Sequence, residues 1–201
     1  MTTTLLLARH GESDWNLERR WQGHADRPLT PNGRAQAGLL AALLGGVPLD
    51  AAYSSDLARA RETAELAVAP VGLAVRLDER LREVDVGEWT GLTAADVEAR
   101  YPAGAERRRE GGLGWENGET YEAMGVRVRE SLRSIAVAHL GGRVLVVTHG
   151  GPVGAVRRAS GCSLHEWYRV GNCDLDEIAV RGDRMRWVDS TRGGLHQQIQ
   201  G

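Results

Sequence analysis

The sequence opens on Leu5-Leu6-Leu7-Ala8-Arg9-His10-Gly11-Glu12-Ser13-Asp14-Trp15-Asn16, where four apolar residues run straight into an arginine, a histidine and a glycine. An unbroken apolar run fits a strand buried on both faces, as in a parallel sheet. The stop at Arg9-His10-Gly11 sets a fixed cation and an imidazole at the strand's carboxyl end. That is the edge where open α/β sheets bind ligands. A guanidinium clamps phosphate or carboxylate, and an imidazole serves as nucleophile or proton carrier.

A second run, Val144-Leu145-Val146-Val147 within Arg143–Thr148, ends in the same way at Thr148-His149-Gly150-Gly151. As parallel neighbours, the two strands would set His10 and His149 side by side at one sheet edge. Glycine after each histidine lets the backbone turn sharply and a ligand approach closely.

Between these strands the chain alternates. Thr30-Pro31 reads as a helix start, a hydroxyl cap followed by proline. That helix runs through Ala35, Leu39, Leu40, Leu43 and Leu44 and stops at Gly45-Gly46. Ala51–Ser54 is expected as a short strand, Ser55 as the cap of a helix reaching Val68, and Ala74–Leu77 as another strand. Leu81–Gly91 is turn-rich. Thr93–Arg100 reads as a short helix closed by Pro102, and Ala103–Asn117 as the least regular part. Its run Glu106-Arg107-Arg108-Arg109-Glu110 is either a solvated face or a reader of an anionic substrate. From Glu119 a long helix follows, with Tyr121, Met124, Val128, Leu132 and Ile135 at steps of three or four, a core stripe. Val153–Ala159 reads as helix, and Leu175–Val180 with Met185–Asp189 as a hairpin turning at Gly182-Asp183. Residues 190–201 read as a mobile, polar, glycine-rich tail. Strands alternating with helices predict an α/β fold, a three-layer α/β/α sandwich with a largely parallel sheet. A single domain over residues 1–201 is expected, with 94–120 as an irregular cap that sets substrate specificity.

Composition excludes several chemistries. The 42% hydrophobic and 26% charged fractions over 201 residues are those of an ordinary globular domain. A net charge of −2 gives no reason to expect nucleic acid or an anionic membrane as partner. All 25 basic residues are arginine, which removes a Schiff-base lysine and a Walker-type phosphate loop. Cys162 and Cys173 match no zinc spacing and read as buried free thiols in a reducing compartment. Met1-Thr-Thr-Thr leads directly into the first strand without a signal sequence, and no apolar run approaches the roughly 20 residues of a membrane span. A cytoplasmic protein is the expectation.

The motif set as a whole resembles the histidine phosphatase superfamily, in its phosphoglycerate mutase-like branch. The residues that carry the resemblance are Leu7-Ala8-Arg9-His10-Gly11-Glu12-Ser13, then Asn16 and Gln22-Gly23, then Leu29-Thr30 with Gly33 and Gln36-Ala37. Tyr53 to Ala60 with Thr63-Ala64 follow, then Leu81-Arg82-Glu83 with Gly87 and Trp89-Thr90-Gly91, Val146 to Gly151, and Asn172-Cys173. The resemblance implies that His10 is phosphorylated, that Arg9, Asn16, Arg59 and His149 hold the phosphoryl group, and that Glu83 handles the proton. It also places Ser13, Gln22, Gly23 and Gly150 against the substrate. Spacing alone leaves Asp85 and Glu88 in competition with Glu83, and Arg61 with Arg59. Trp89 and Trp115 are either core or substrate contacts, while His24, His139, His165 and His196 have no motif context.

A neutral imidazole attacks phosphorus in line when its other nitrogen is held as a donor by a carbonyl. Phosphoryl transfer then needs mostly positioning and charge stabilisation, which arginine forks supply. No metal or cofactor is expected. The implied activity is hydrolysis of a small-molecule phosphomonoester, because the stretch from Glu83 to His149 leaves little room for a mutase-type insertion. Phosphoglycerate mutase-type transfer is the alternative, and an inactive phospho-ligand binding module is the alternative of another class. The expected partner is a small phosphorylated metabolite, with a possible homodimer left open.

Overall fold

The structure, a computed structural model, describes residues 1–162 and 170–191. Leu5 to Ala8 fall inside β1 (Thr3–Arg9), and the apolar run does what a doubly buried strand should. Leu5 and Leu7 enter one core cluster, while Leu6 and Ala8 enter a second on the opposite face. The same split occurs in β4 (Arg143–Thr148), with Val144 and Val146 on one side and Leu145 and Val147 on the other. Period-two alternation thus feeds two cores from each central strand. Leu5 and Leu7 are wholly buried, and each contributes about 1.5–3 kcal/mol.

Around this pair stand β2 (Ala51–Ser54), β3 (Val75–Leu77), β5 (Leu175–Arg181) and β6 (Arg184–Thr191), in sheet order β3-β2-β4-β1-β5-β6. The pairs β3-β2, β2-β4 and β4-β1 are parallel, and the β5-β6 hairpin adds to β1 antiparallel. On one face lie α2 (Pro31–Leu43) and α3 (Ala58–Val68), whose Leu40, Ala60 and Ala64 join the second cluster. On the other lie α6 (Tyr121–Ala138) and α7 (Gly150–Ala159), contributing Met124, Val128, Leu132, Val153 and Val156 to the first. The expected three-layer sandwich with a mostly parallel sheet is what forms.

Local starts differ from expectation in several places. Ser55 does not cap α3. Its hydroxyl instead takes the Leu57 N–H at 3.3 Å, and Leu57 stands at the cap position. Ala58 N–H is satisfied at 2.6 Å by Asp26, a partner from a distant loop that local sequence cannot reveal. The helix expected over Thr93–Arg100 forms as α4 (Ala94–Arg100), but the part expected to be least regular, Ala103–Asn117, holds most of a second short helix, α5 (Pro102–Arg109). Thr93 and Asp96 form a capping box for α4, and Pro102 both stops α4 and opens α5 at its first position. Thr120 caps α6, and α7 begins at Gly150 rather than Val153. Strand β6 continues to Thr191, past the expected start of the tail at 190; residues 192–201 lie outside the described residues. Among the described residues no helix is long and apolar enough to cross a membrane.

Candidate active site

Parallel pairing sets Arg9 opposite Thr148, so β1 and β4 deliver the next residues, His10 and His149, to the same edge. The imidazole centroids stand 5.1 Å apart, edge to face. His10 is fixed through its backbone: its N–H donates to Thr148 O at 2.9 Å, and Asn172 Nδ2 donates to its carbonyl at 2.9 Å. His10 Nδ1 lies 2.7 Å from Gly11 O. A carbonyl only accepts, so Nδ1 carries the proton and Nε2 keeps its lone pair.

Burial, followed by Arg59 and Arg9, holds the His10 ring well below its ordinary pKa. Burial and Arg59 do the same to His149, whose two ring nitrogens are buried with no protein partner. Both rings are therefore neutral at neutral pH, the state a nucleophile needs. The folded state resists protons that the unfolded chain takes up near pH 6.5. Stability from these two groups is complete above that value and is lost as pH falls toward the folded values. The expected result is a Tm that drops by on the order of several degrees on acidification through pH 6.5. Differential scanning calorimetry of the wild type and His149→Asn checks this, and a slope unchanged by the substitution would contradict it.

Two guanidinium groups flank the rings. Arg9 donates from Nη1 to Val170 O at 2.6 Å, and its Nε has no protein partner. Arg59 is wholly buried, with Nη1 on Ala25 O at 2.7 Å and Nη2 on Gly23 O at 2.9 Å; its Nε is also unpartnered. Burial lowers both, Arg59 to about 10, yet each stays a cation at neutral pH. Arg61 is exposed, because residues two apart on a helix face opposite sides. Of the two, Arg59 is the one that lines the cavity.

Glu83 comes from the loop after β3. Its Oε1 accepts Val84 N–H at 2.9 Å, and both carboxylate oxygens lie 3.1 Å from the N–H of Gly151, the second residue of α7. The carboxylate thus rests on the positive end of that helix. A Cβ on Gly151 would stand 2.2 Å from Glu83 Oε1, so a side chain there would displace the carboxylate; Gly150 has ordinary room. Arg127 braces the loop, donating to the carbonyls of Arg80, Arg82 and Glu83 at 2.9, 2.7 and 2.8 Å while paired with Glu119 at 2.6 Å. His24 Nε2 adds a bond to Glu83 O at 2.8 Å, a role that no motif announced. Asp85 and Glu88 are occupied elsewhere, Asp85 with Gly87 N–H and Glu88 with the N–H groups of Glu116 and Asn117.

A cavity of about 1260 Å³ opens over this edge, and Arg9, His10, Asn16, Arg59, Glu83 and Gly150 all line it, as do Gln22 and Gly23. Ser13 does not. It is buried behind the wall, where its hydroxyl caps α1 (Asp14–Leu17) and donates to Gln22 Oε1 at 2.9 Å. His149 is likewise fully buried, beside His10 rather than on the cavity surface. Trp89 and Trp115 are core, stacked edge to face at 5.5 Å, and among the described residues Trp21 is the tryptophan that reaches the cavity.

Two neutral imidazoles beside buried guanidinium groups, with a carboxylate lining the same cavity at a sheet's carboxyl edge, can hold an oxyanion and present an imidazole lone pair to it. The histidine phosphatase superfamily (branch 1) model matches residues 5–191. A probable phosphoglycerate mutase of Photorhabdus laumondii is 33% identical over 94% of this chain and 92% of its own. Phosphoserine phosphatase 1 of Hydrogenobacter thermophilus is 35% identical over 88% of this chain and 84% of its own. The structure of mycobacterial glucosyl-3-phosphoglycerate phosphatase in complex with VO3 superposes with a TM-score of 0.79 at 30% identity, covering 93% of this chain and 96% of that one. The chain belongs to the histidine phosphatase superfamily, and it is an enzyme of the phosphatase and phosphoglycerate mutase-like kind.

Proposed function

We propose that the protein is a metal-independent phosphomonoesterase that hydrolyses a small phosphorylated metabolite through a phosphohistidine on His10. The observation that carries this reading is the 2.7 Å contact of His10 Nδ1 with Gly11 O, which leaves Nε2 as a free lone pair beside two guanidinium groups. Nε2 attacks phosphorus in line, the ester P–O bond breaks, and Glu83 gives its proton to the departing alkoxide. Glu83 then takes a proton from water as that water attacks phosphorus; the P–N bond breaks and phosphate leaves. Arg9 and Arg59 hold the equatorial oxygens, and Asn16 lies beside them on the cavity wall. Their positive charge does what magnesium does in kinases, so activity is expected to survive EDTA.

Similarity to a probable phosphoglycerate mutase gives mutase transfer the second place. Phosphate release and isomerisation of 3-phosphoglycerate are measured side by side. Phosphate release without matching isomerisation supports hydrolysis; efficient isomerisation with little phosphate overturns it. A chain that binds phosphate esters without turning any over would be the binding module instead.

A further inference from the structure

The arginines that the sequence places together do not share one fate. Arg107 pairs with Glu116 and Arg109 with Glu98, both at 3.2 Å on the surface. Arg108, between them, turns inward, lines the cavity and stands 5.6 Å from the Tyr121 ring. On α6, Arg127 pairs with Glu119 and Arg133 with Asp183. Arg129 also lines the cavity, and among the described residues no carboxylate lies within ion-pair distance of it.

Arg129 packs over a glycine. Helical side chains lean toward the N-terminus, so a residue covers the one four places before it. A Cβ at Gly125 would stand 3.0 Å from Arg129 Nη1. Glycine is disfavoured inside a helix, yet here its bare backbone leaves room for the guanidinium. Tyr121, Gly125 and Arg129 follow at steps of four and all line the cavity, as do the acidic Glu83 and Glu122. Inorganic phosphate fills only a small part of a 1260 Å³ space.

We propose that Arg129, laid over Gly125, and Arg108 form a second anion subsite, so the preferred substrate is a phosphomonoester carrying another negative group, carboxylate or phosphate. This rests on the phosphatase reading above. An arginine fork suits either anion, so the test separates them.

Phosphate release is measured for phosphoserine against phosphoethanolamine, which differ by a carboxylate, and for propanediol bisphosphate against propanediol monophosphate, which differ by a phosphate. p-Nitrophenyl phosphate is the reference. In the wild type, at least one pair favours the doubly anionic ester in kcat/KM by about tenfold or more, the scale of one charge-assisted hydrogen bond. The pair that discriminates identifies the anion. That ratio collapses in Arg129→Gln and in Gly125→Ala. Gly125→Ala also raises Tm, which separates lost recognition from lost folding, while Arg133→Gln on the same helix keeps the ratio. A ratio near one for both pairs, or one untouched by Arg129→Gln and Gly125→Ala, overturns the subsite while leaving the phosphatase reading intact. No phosphate from any ester, the reference included, overturns both.

Discussion

His10→Ala is expected to lose turnover of every phosphomonoester by on the order of 10⁴-fold or more, the scale seen when a covalent catalyst loses its nucleophile. Among the described residues no other side chain stands ready to replace it. Cys173 is buried, and burial pushes its thiol up to about 12. The hydroxyl of Ser13 is committed to a helix cap and to Gln22. His149 is adjacent but lies within the wall. Arg9 and Arg59 remain, so the variant should still bind a substrate phosphate. Steady-state kinetics with calorimetric titration of the unreacted ester separates the two effects. A variant that keeps a tenth of wild-type kcat would show that the attacking atom is elsewhere.

Glu83→Gln is the second large effect, and its size should depend on the leaving group. The amide oxygen of glutamine can still accept the Gly151 N–H, so the loop holds, but no proton can be given or taken. For an alkyl phosphate the expected loss in kcat is on the order of 10²–10⁴-fold, the range of general acid–base catalysis. p-Nitrophenolate leaves without a proton, so its first step is largely spared. The second step still lacks a base to activate water. The variant should therefore release one equivalent of p-nitrophenol in a burst and then stall. Stopped-flow absorbance checks this; equal losses for both esters with no burst would remove Glu83 from the proton path.

The arrangement of the two histidines was legible before any coordinates. Two apolar runs of similar length, each ending in histidine and glycine, carry enough information to place parallel central strands, because burial on both faces leaves few other homes for them. What the sequence could not carry are contacts made by backbone groups far away. Nothing local to Glu83 announces that its carboxylate sits on the first turn of α7, or that Gly151 and not Gly150 leaves the room. The Arg59–Arg61 ambiguity is also tertiary in origin, settled by which face of α3 meets the sheet. The same holds for Arg157 and Asp176, a buried pair at 2.7 Å that ties α7 to β5. Burial pushes the Asp176 carboxyl up even beside its arginine. Breaking such a pair from one side costs about 3–5 kcal/mol.

The irregular reading of Ala103–Asn117 missed α5 for a different reason. Pro102 was legible as the stop of the helix before it but also opens the next one, and a glycine-rich context hides that second role. Helix formation in so few residues is marginal without tertiary support. That support comes from Val97, Ala105 and Trp115, which join the first core cluster.

The central claim is a covalent bond between phosphorus and His10 Nε2. Mixing the protein with a radiolabelled phosphomonoester, quenching in alkali within the first turnover and mapping the label tests it directly. The account predicts an acid-labile, alkali-stable label on the tryptic peptide His10–Arg19, absent from His10→Ala. Product phosphate formed in the same quench with no label on that peptide would contradict it.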